Sequence, residues 1–175
     1  MRRESPMTLS EPSFCIGITF DMGTLLSLDL GTITGWALLK DGEIRSGSIC
    51  FKSSHFDSGD CKFTRFKRWL VNLKAAHGDI DQIVYEAVRR HSGTIAGQTY
   101  GGFMATLQLF GDHHNISYEG VPVATIKKFM TGHGGASKKA VIEAVKAKGH
   151  TPKDDNEADA LALLYWKLEQ EEDNQ

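Results

Sequence analysis

Leu25-Leu26-Ser27-Leu28-Asp29-Leu30-Gly31-Thr32-Ile33-Thr34-Gly35-Trp36-Ala37-Leu38-Leu39 is the stretch on which the reading of the fold turns. A short apolar run carries one acid, Asp29, and a second apolar run follows after two glycines. Runs of this length bounded by glycine predict two buried strands joined by a tight turn. A carboxylate in an apolar strand is costly to bury unless something positive pairs with it. The stretch itself contains no Lys or Arg. The partner must therefore come from elsewhere, as a distant side chain or a metal ion. The plainer reading makes Asp29 a cap on the Gly31 turn.

Outward from that stretch, Asp41-Gly42 supplies a turn, and residues 43–51 read as a third strand. Phe63, Phe66, Trp69, Leu70 and Leu73 recur at helical spacing and predict an amphipathic helix over 61–76, ended by Gly78. Ile80–Tyr85 is a short strand that delivers a second acid, Glu86. Residues 87–96 read as a polar loop, 97–114 as a helix and 116–123 as a strand broken at Pro122. A short helix over 124–130 follows. Ser137 is placed to cap another helix reaching about Lys148, and the last helix runs from about Asp155 to Glu169. Three strands in a meander, then alternating helices and strands, predict an α/β fold with a mixed sheet covered by helices.

The chain of 175 residues suits one domain with a full core. Residues 1–21 read as an N-terminal extension, dispensable or a mis-assigned start, because Met22 stands just before the first strong strand. The domain is expected over 22–170, with an acidic tail at 171–175. Three cysteines show no metal-like spacing and read as reduced thiols of a cytoplasmic protein. No apolar run approaches membrane-spanning length. The formal net charge of −2 hides an uneven distribution. Residues 124–150 hold six lysines against one acid, whereas 154–175 hold eight acids against one lysine. The basic stretch is either a phosphate-contacting patch or a solvated helix face.

Asp155 and Asp159, four apart, share one face of the last helix. If that helix packs across neighbouring strands bearing Asp29 and Glu86, four carboxylates converge. Like charges so close stay ionised only when cations hold them. Oxygen ligands without Cys or clustered His favour Mg²⁺ or Mn²⁺. Two such ions would clamp the attacking water and the leaving oxygen of a phosphodiester.

Leu28-Asp29-Leu30-Gly31-Thr32-x-Thr34-Gly35-Trp36-Ala37, then Val84-Tyr85-Glu86, then Asp154-Asp155-Asn156-Glu157-Ala158-Asp159-Ala160-Leu161-Ala162 resemble the RuvC family of Holliday-junction resolvases, in particular its phage and prophage members. The resemblance spans about residues 24–168. It implies a ribonuclease-H-like fold, divalent-metal hydrolysis of DNA, a four-way junction as substrate, a homodimer, and a bacterial or phage-infected cytoplasm. Carried across by position, Asp29, Glu86 and Asp159 match three of the family's carboxylates. Asp155 is the choice for the fourth, with Asn156 as competitor. Lys127, Lys128 and Lys138 fall in a segment resembling the family's phosphate-contacting region. Arg89 stands where some members carry an aromatic; with Arg90 it implies a phosphate grip and a looser base preference, the alternative being two solubilising loop charges.

Two other readings remain. Asp29-Leu30-Gly31-Thr32 with Gly35 also resembles the first phosphate turn of the actin, Hsp70 and sugar-kinase ATPases, which need a second lobe and a second Asp-Gly turn. The other is a junction-binding protein without catalysis.

Overall fold

The computed structural model describes residues 14–15, 23–52, 61–89 and 93–173. Its strands are β1 (Phe14–Cys15), β2 (Leu25–Asp29), β3 (Ile33–Lys40), β4 (Glu43–Cys50), β5 (Gln82–Ala87) and β6 (Ser117–Pro122). Its helices are α1 (Lys62–His77), α2 (Thr94–His114), α3 (Val123–Thr131), α4 (Lys138–Ala147) and α5 (Asp155–Asp173). The strands form one mixed sheet in the order β1-β4-β3-β2-β5-β6. β2, β3 and β4 are an antiparallel meander, while β5 and β6 run parallel to β2. The mixed sheet covered by helices is the architecture the sequence predicts.

Period-two alternation divides the strand residues between two cores. Leu26, Leu28, Trp36, Leu38, Ile83 and Tyr85 pack with Phe66 and Trp69 of α1 and Phe103 and Leu107 of α2. Leu25, Ala37, Leu39 and Val84 face the other way, against Val141 and Val145 of α4 and Ala158, Leu161 and Ala162 of α5. Of the expected α1 stripe Phe66, Trp69, Leu70 and Leu73 are buried and Phe63 is half-buried, while Tyr100, Phe103, Leu107 and Phe110 of α2 are buried.

Three boundaries differ from expectation. β1 lies within the segment read as an extension and pairs with β4, Phe14 opposite Ile44; the rest of 1–21 is outside the described residues. α2 starts at Thr94, not Gly97; within it packing outweighs the poor helix propensity of its glycines, since a Cβ on Gly102 would lie 2.2 Å from the Phe63 ring. α5 continues to Asp173, through most of the stretch read as a tail. Acids at a helix C-terminus oppose its dipole. Here Lys167 of the preceding turn bonds Glu171 at 2.7 Å and Glu119 of β6 at 3.3 Å, which offsets that cost. Among the described residues no helix is long and apolar enough to cross a membrane.

The start of α5 is fastened to the sheet. Ser27 Oγ donates to Ala160 O at 2.8 Å, and Ser46 Oγ donates to Glu157 Oε1 at 2.7 Å. Ser48 Oγ donates to Asp154 Oδ2. Asp154 caps α5 by accepting from the Glu157 amide at 2.9 Å, and Glu157 Oε2 accepts from the Lys153 amide at 2.8 Å. Gly35 supplies the closest approach: a Cβ there would sit 1.8 Å from the Asn156 carbonyl oxygen. Gly35→Ala must therefore lift the first turn of α5 off the sheet. The expected cost is at least the ~1–3 kcal/mol of a core overpacking, read as a lowered urea midpoint. An unchanged midpoint would show that α5 is not seated on Gly35.

Candidate active site

Two parallel strands carry the first pair of acids. Leu28 of β2 stands beside Tyr85 of β5, so the next residues, Asp29 and Glu86, are neighbours about 4.8 Å apart along the sheet. Alternation turns both toward α5, since Ser27 and Val84, two residues earlier on each strand, face that helix. Asp29 pairs across the hairpin with Gly35, over which α5 begins. Asp155 and Asp159, about 6 Å apart along the helix, are thereby laid over the strand acids.

The electrostatics show that the four carboxylates feel one another. Burial pushes Asp29 well above the usual carboxylate range, and the charges of Glu86, Asp159 and Asp155 add to the effect, against Lys138. Glu86 is pushed from 4.5 to about 7 by burial and then by Asp159, with Lys127 and Lys138 opposing. Asp159 rises from 3.8 to about 6, again through burial first, with Lys127 and Lys138 lowering it and Asp155 raising it. Asp155 is the exception. Lys138 donates to its carboxylate and holds its pKa below the ordinary value.

The other predicted residues divide. Lys127, half-buried on α3, acts on Glu86 and Asp159, and Lys138 acts on all four acids. Lys128, next to Lys127, is exposed and lines a separate shallow groove with Thr125, Phe129 and Trp166. Asn156 is half-buried, and its backbone carbonyl, not its amide, makes the close approach to Gly35. Arg89 is exposed just beyond β5; Arg90 lies outside the described residues.

Sequence reasoning missed the supports. Tyr100 of α2 donates to the Glu86 carbonyl at 2.8 Å and accepts from the Val88 amide at 3.3 Å, pinning the strand exit that carries Glu86. No spacing rule links a helix tyrosine to that backbone. In sequence Gly35 shows only turn chemistry, and Asp154 and Glu157 only an acidic motif. The signal for Asp154 was present, because an Asp three residues before a Glu at a helix start marks a cap.

Asp29, Glu86, Asp155 and Asp159 offer only oxygen donors, which fits a hard divalent cation. Among the described residues, however, no three acid, His or Cys side chains are drawn into a closed metal-holding set. Lys138 already engages Asp155, and the other three repel one another, so the arrangement is an open one that a cation would draw in.

No protein-family model matches the chain, and no curated protein sequence matches it. Solved structures do. RuvC of T. thermophilus in complex with a Holliday junction substrate aligns with a TM-score of 0.68 at 16% identity, over 81% of this chain and 90% of that one. A further Thermus thermophilus RuvC structure gives 0.65 at 16% identity, over 85% and 96%. The yeast mitochondrial Holliday junction resolvase gives 0.56 at 12% identity, over 89% and 83%. At these identities the likeness is one of fold. The chain has the ribonuclease-H-like fold of RuvC Holliday-junction resolvases.

The raised acids set a pH dependence for the metal-free protein. Groups whose folded pKa exceeds the unfolded one bind more protons when folded, so stability is present at low pH and lost as pH rises through the folded pKa. For Glu86 and Asp159 that loss runs from about 4 to 7. Asp155 acts in the opposite sense, but only below the ordinary carboxylate range. His77, His114 and His150, which burial holds below the ordinary imidazole range, act in the opposite sense over the same interval, so the difference between two proteins isolates the acids. In chelator, the melting temperature of Asp29→Asn should rise relative to wild type between pH 5 and pH 8; a difference that stays constant or falls over this interval would contradict the arrangement.

Proposed function

We propose that this chain is a structure-selective, divalent-metal-dependent endodeoxyribonuclease that resolves four-way DNA junctions, with other branched DNA as further substrates. The observation that carries the reading is the gathering of Asp29 and Glu86 at adjacent strand ends under the start of α5, where Glu86 and Asp159 raise the pKa of Asp29 and Asp159 raises that of Glu86. A binding-only protein gains nothing from holding uncompensated carboxylates together, because they weaken both the fold and the attraction for phosphate. The fold shared with a resolvase bound to its junction supports the same reading.

In this reading Asp29, Glu86, Asp155 and Asp159 hold Mg²⁺, with Mn²⁺ as substitute and two ions per site. The ions supply charge neutralisation at the scissile phosphate and lower the pKa of water. The chain's own residues do the rest. Asp29 and Glu86, fixed on adjacent strands, set the floor of the site, and the start of α5 brings the other two acids down from above. Lys127 and Lys138 flank the acids from α3 and α4 and orient the phosphate. Arg89 at the strand exit and Lys128 grip neighbouring phosphates, which leaves base preference at the cut loose. Two cuts in a four-way junction call for two such sites, hence a homodimer, acting in the cytoplasm.

Asp29→Asn separates this from a non-catalytic binder. Cleavage of a four-way junction in Mg²⁺ should fall by at least the roughly 100-fold that even loss of an outer-shell partner of a metal site can cost, while gel-shift affinity for the junction in Ca²⁺ stays within a few-fold. Absence of metal-dependent cutting by the wild-type protein on four-way, three-way, flap and linear DNA would overturn the assignment.

A further inference from the structure

The four carboxylates are not equivalent, because one of them already has a cation from the protein. Lys138 Nζ donates to Asp155 Oδ2 across 17 residues of sequence, from the start of α4 to the start of α5. The position of this lysine is unfavourable by local rules. It is the first residue of α4, whose N-cap Ser137 accepts from the Ala140 amide at 3.3 Å, and the first turn contains no acid. An ammonium at that end of a helix opposes the dipole. What offsets this is tertiary: Asp155, Asp159 and Asp29 all act on Lys138. Its neighbour Lys139 is exposed.

We infer that Lys138 is a positioning residue that fills the Asp155 end of the carboxylate cluster in DNA-free protein and gives it up to a divalent cation when a DNA phosphate takes the lysine. This rests on the metal-dependent reading above and makes the two cation sites unequal. Among the described residues Asp29, Glu86 and Asp159 make no ion pair, and Lys127 acts on Glu86 and Asp159 only through space, so a first ion meets less competition there. Binding of a second ion involving Asp155 requires the lysine to leave. The pair can be released, because 72% of the Lys138 side chain is exposed and exposed ion pairs are weak. A phosphate arriving at the site offers the ammonium a new anion at the moment the cation needs Asp155. The arrangement ties completion of the metal site to the presence of substrate.

The test is calorimetric titration of the full-length protein with Ca²⁺, comparing wild type, Lys138→Gln, Lys138→Arg and Asp155→Asn, each with and without an intact four-way junction. DNA-free wild type should bind one ion firmly and a second weakly. Lys138→Gln should tighten the weaker ion up to about fivefold, the most that competition from an exposed ion pair exerts. Lys138→Arg, which keeps the pair, should leave it weak, and Asp155→Asn should abolish it. Adding junction should tighten the second ion for wild type and leave Lys138→Gln little changed. Two equally tight ions in DNA-free wild type, or identical behaviour of the Gln and Arg variants, would overturn the inference while leaving the nuclease reading intact. No Ca²⁺ binding by any variant, with or without DNA, would overturn the metal reading itself.

Discussion

The structure depends on forcing like charges together. Asp29 and Glu86 are adjacent on parallel strands, and the start of α5 lowers Asp159 onto them. Burial and mutual repulsion both raise their pKa, so near neutral pH the cluster costs the fold stability that apolar residues would have supplied. Such a cost persists only where the surroundings over-determine it. Here the surroundings are Gly35, three serines from β2 and β4, and the Asp154 cap, all acting on the first turns of α5.

Topology explains why the cluster forms where it does. At its C-terminal end β2 turns back through a hairpin into β3 on one side, while β5 on the other side runs parallel and continues toward α2. The two chain exits diverge there, forming two lips beyond the strand ends that carry Asp29 and Glu86. Tyr100 stabilises one lip by bonding both the Glu86 carbonyl and the Val88 amide. The other lip is the Gly31 turn, where Thr34 Oγ1 donates to the Gly31 carbonyl at 2.7 Å. Both lips are thus fixed by side-chain bonds to backbone.

What could be read in the sequence was whatever depends on local pattern. The β2–β3 hairpin, the stripes of α1 and α2 and the Ser137 cap follow from periodicity and turn chemistry, and the structure contains them. The candidate acids were legible because a carboxylate in an apolar strand needs a reason. The strand order was not legible, since pairing of β2 with β5 is settled by packing some 57 positions along the chain. The α5 end was not legible for a related reason: Lys167 between Glu119 and Glu171 is a tertiary contact that outweighs local propensity. Gly35 shows the limit most clearly. Its turn chemistry could be read, but its decisive role is the room it leaves for a helix backbone more than a hundred residues away.

The run Asp154-Asp155-Asn156-Glu157-Ala158-Asp159 shows how one acidic motif is divided by geometry. Asp154 and Glu157 turn to the backbone and to Ser46 and Ser48, so they are structural acceptors; Asp155 and Asp159 face the strand acids. A count of charge treats all four alike, and a count over the whole chain conceals the lysines opposite them. Geometry also separates these acids from the group at the other end of α5. Glu169, Glu171, Glu172 and Asp173 lie at the far end of the 19-residue α5, roughly 20 Å from the carboxylate cluster. That separation exceeds the ~8 Å screening length at physiological salt. They therefore act little on the carboxylate cluster, where Lys127 and Lys138 are close. The overall charge of −2 thus conceals two separate groups of acids, one gathered beside lysines at the start of α5 and one at its far end.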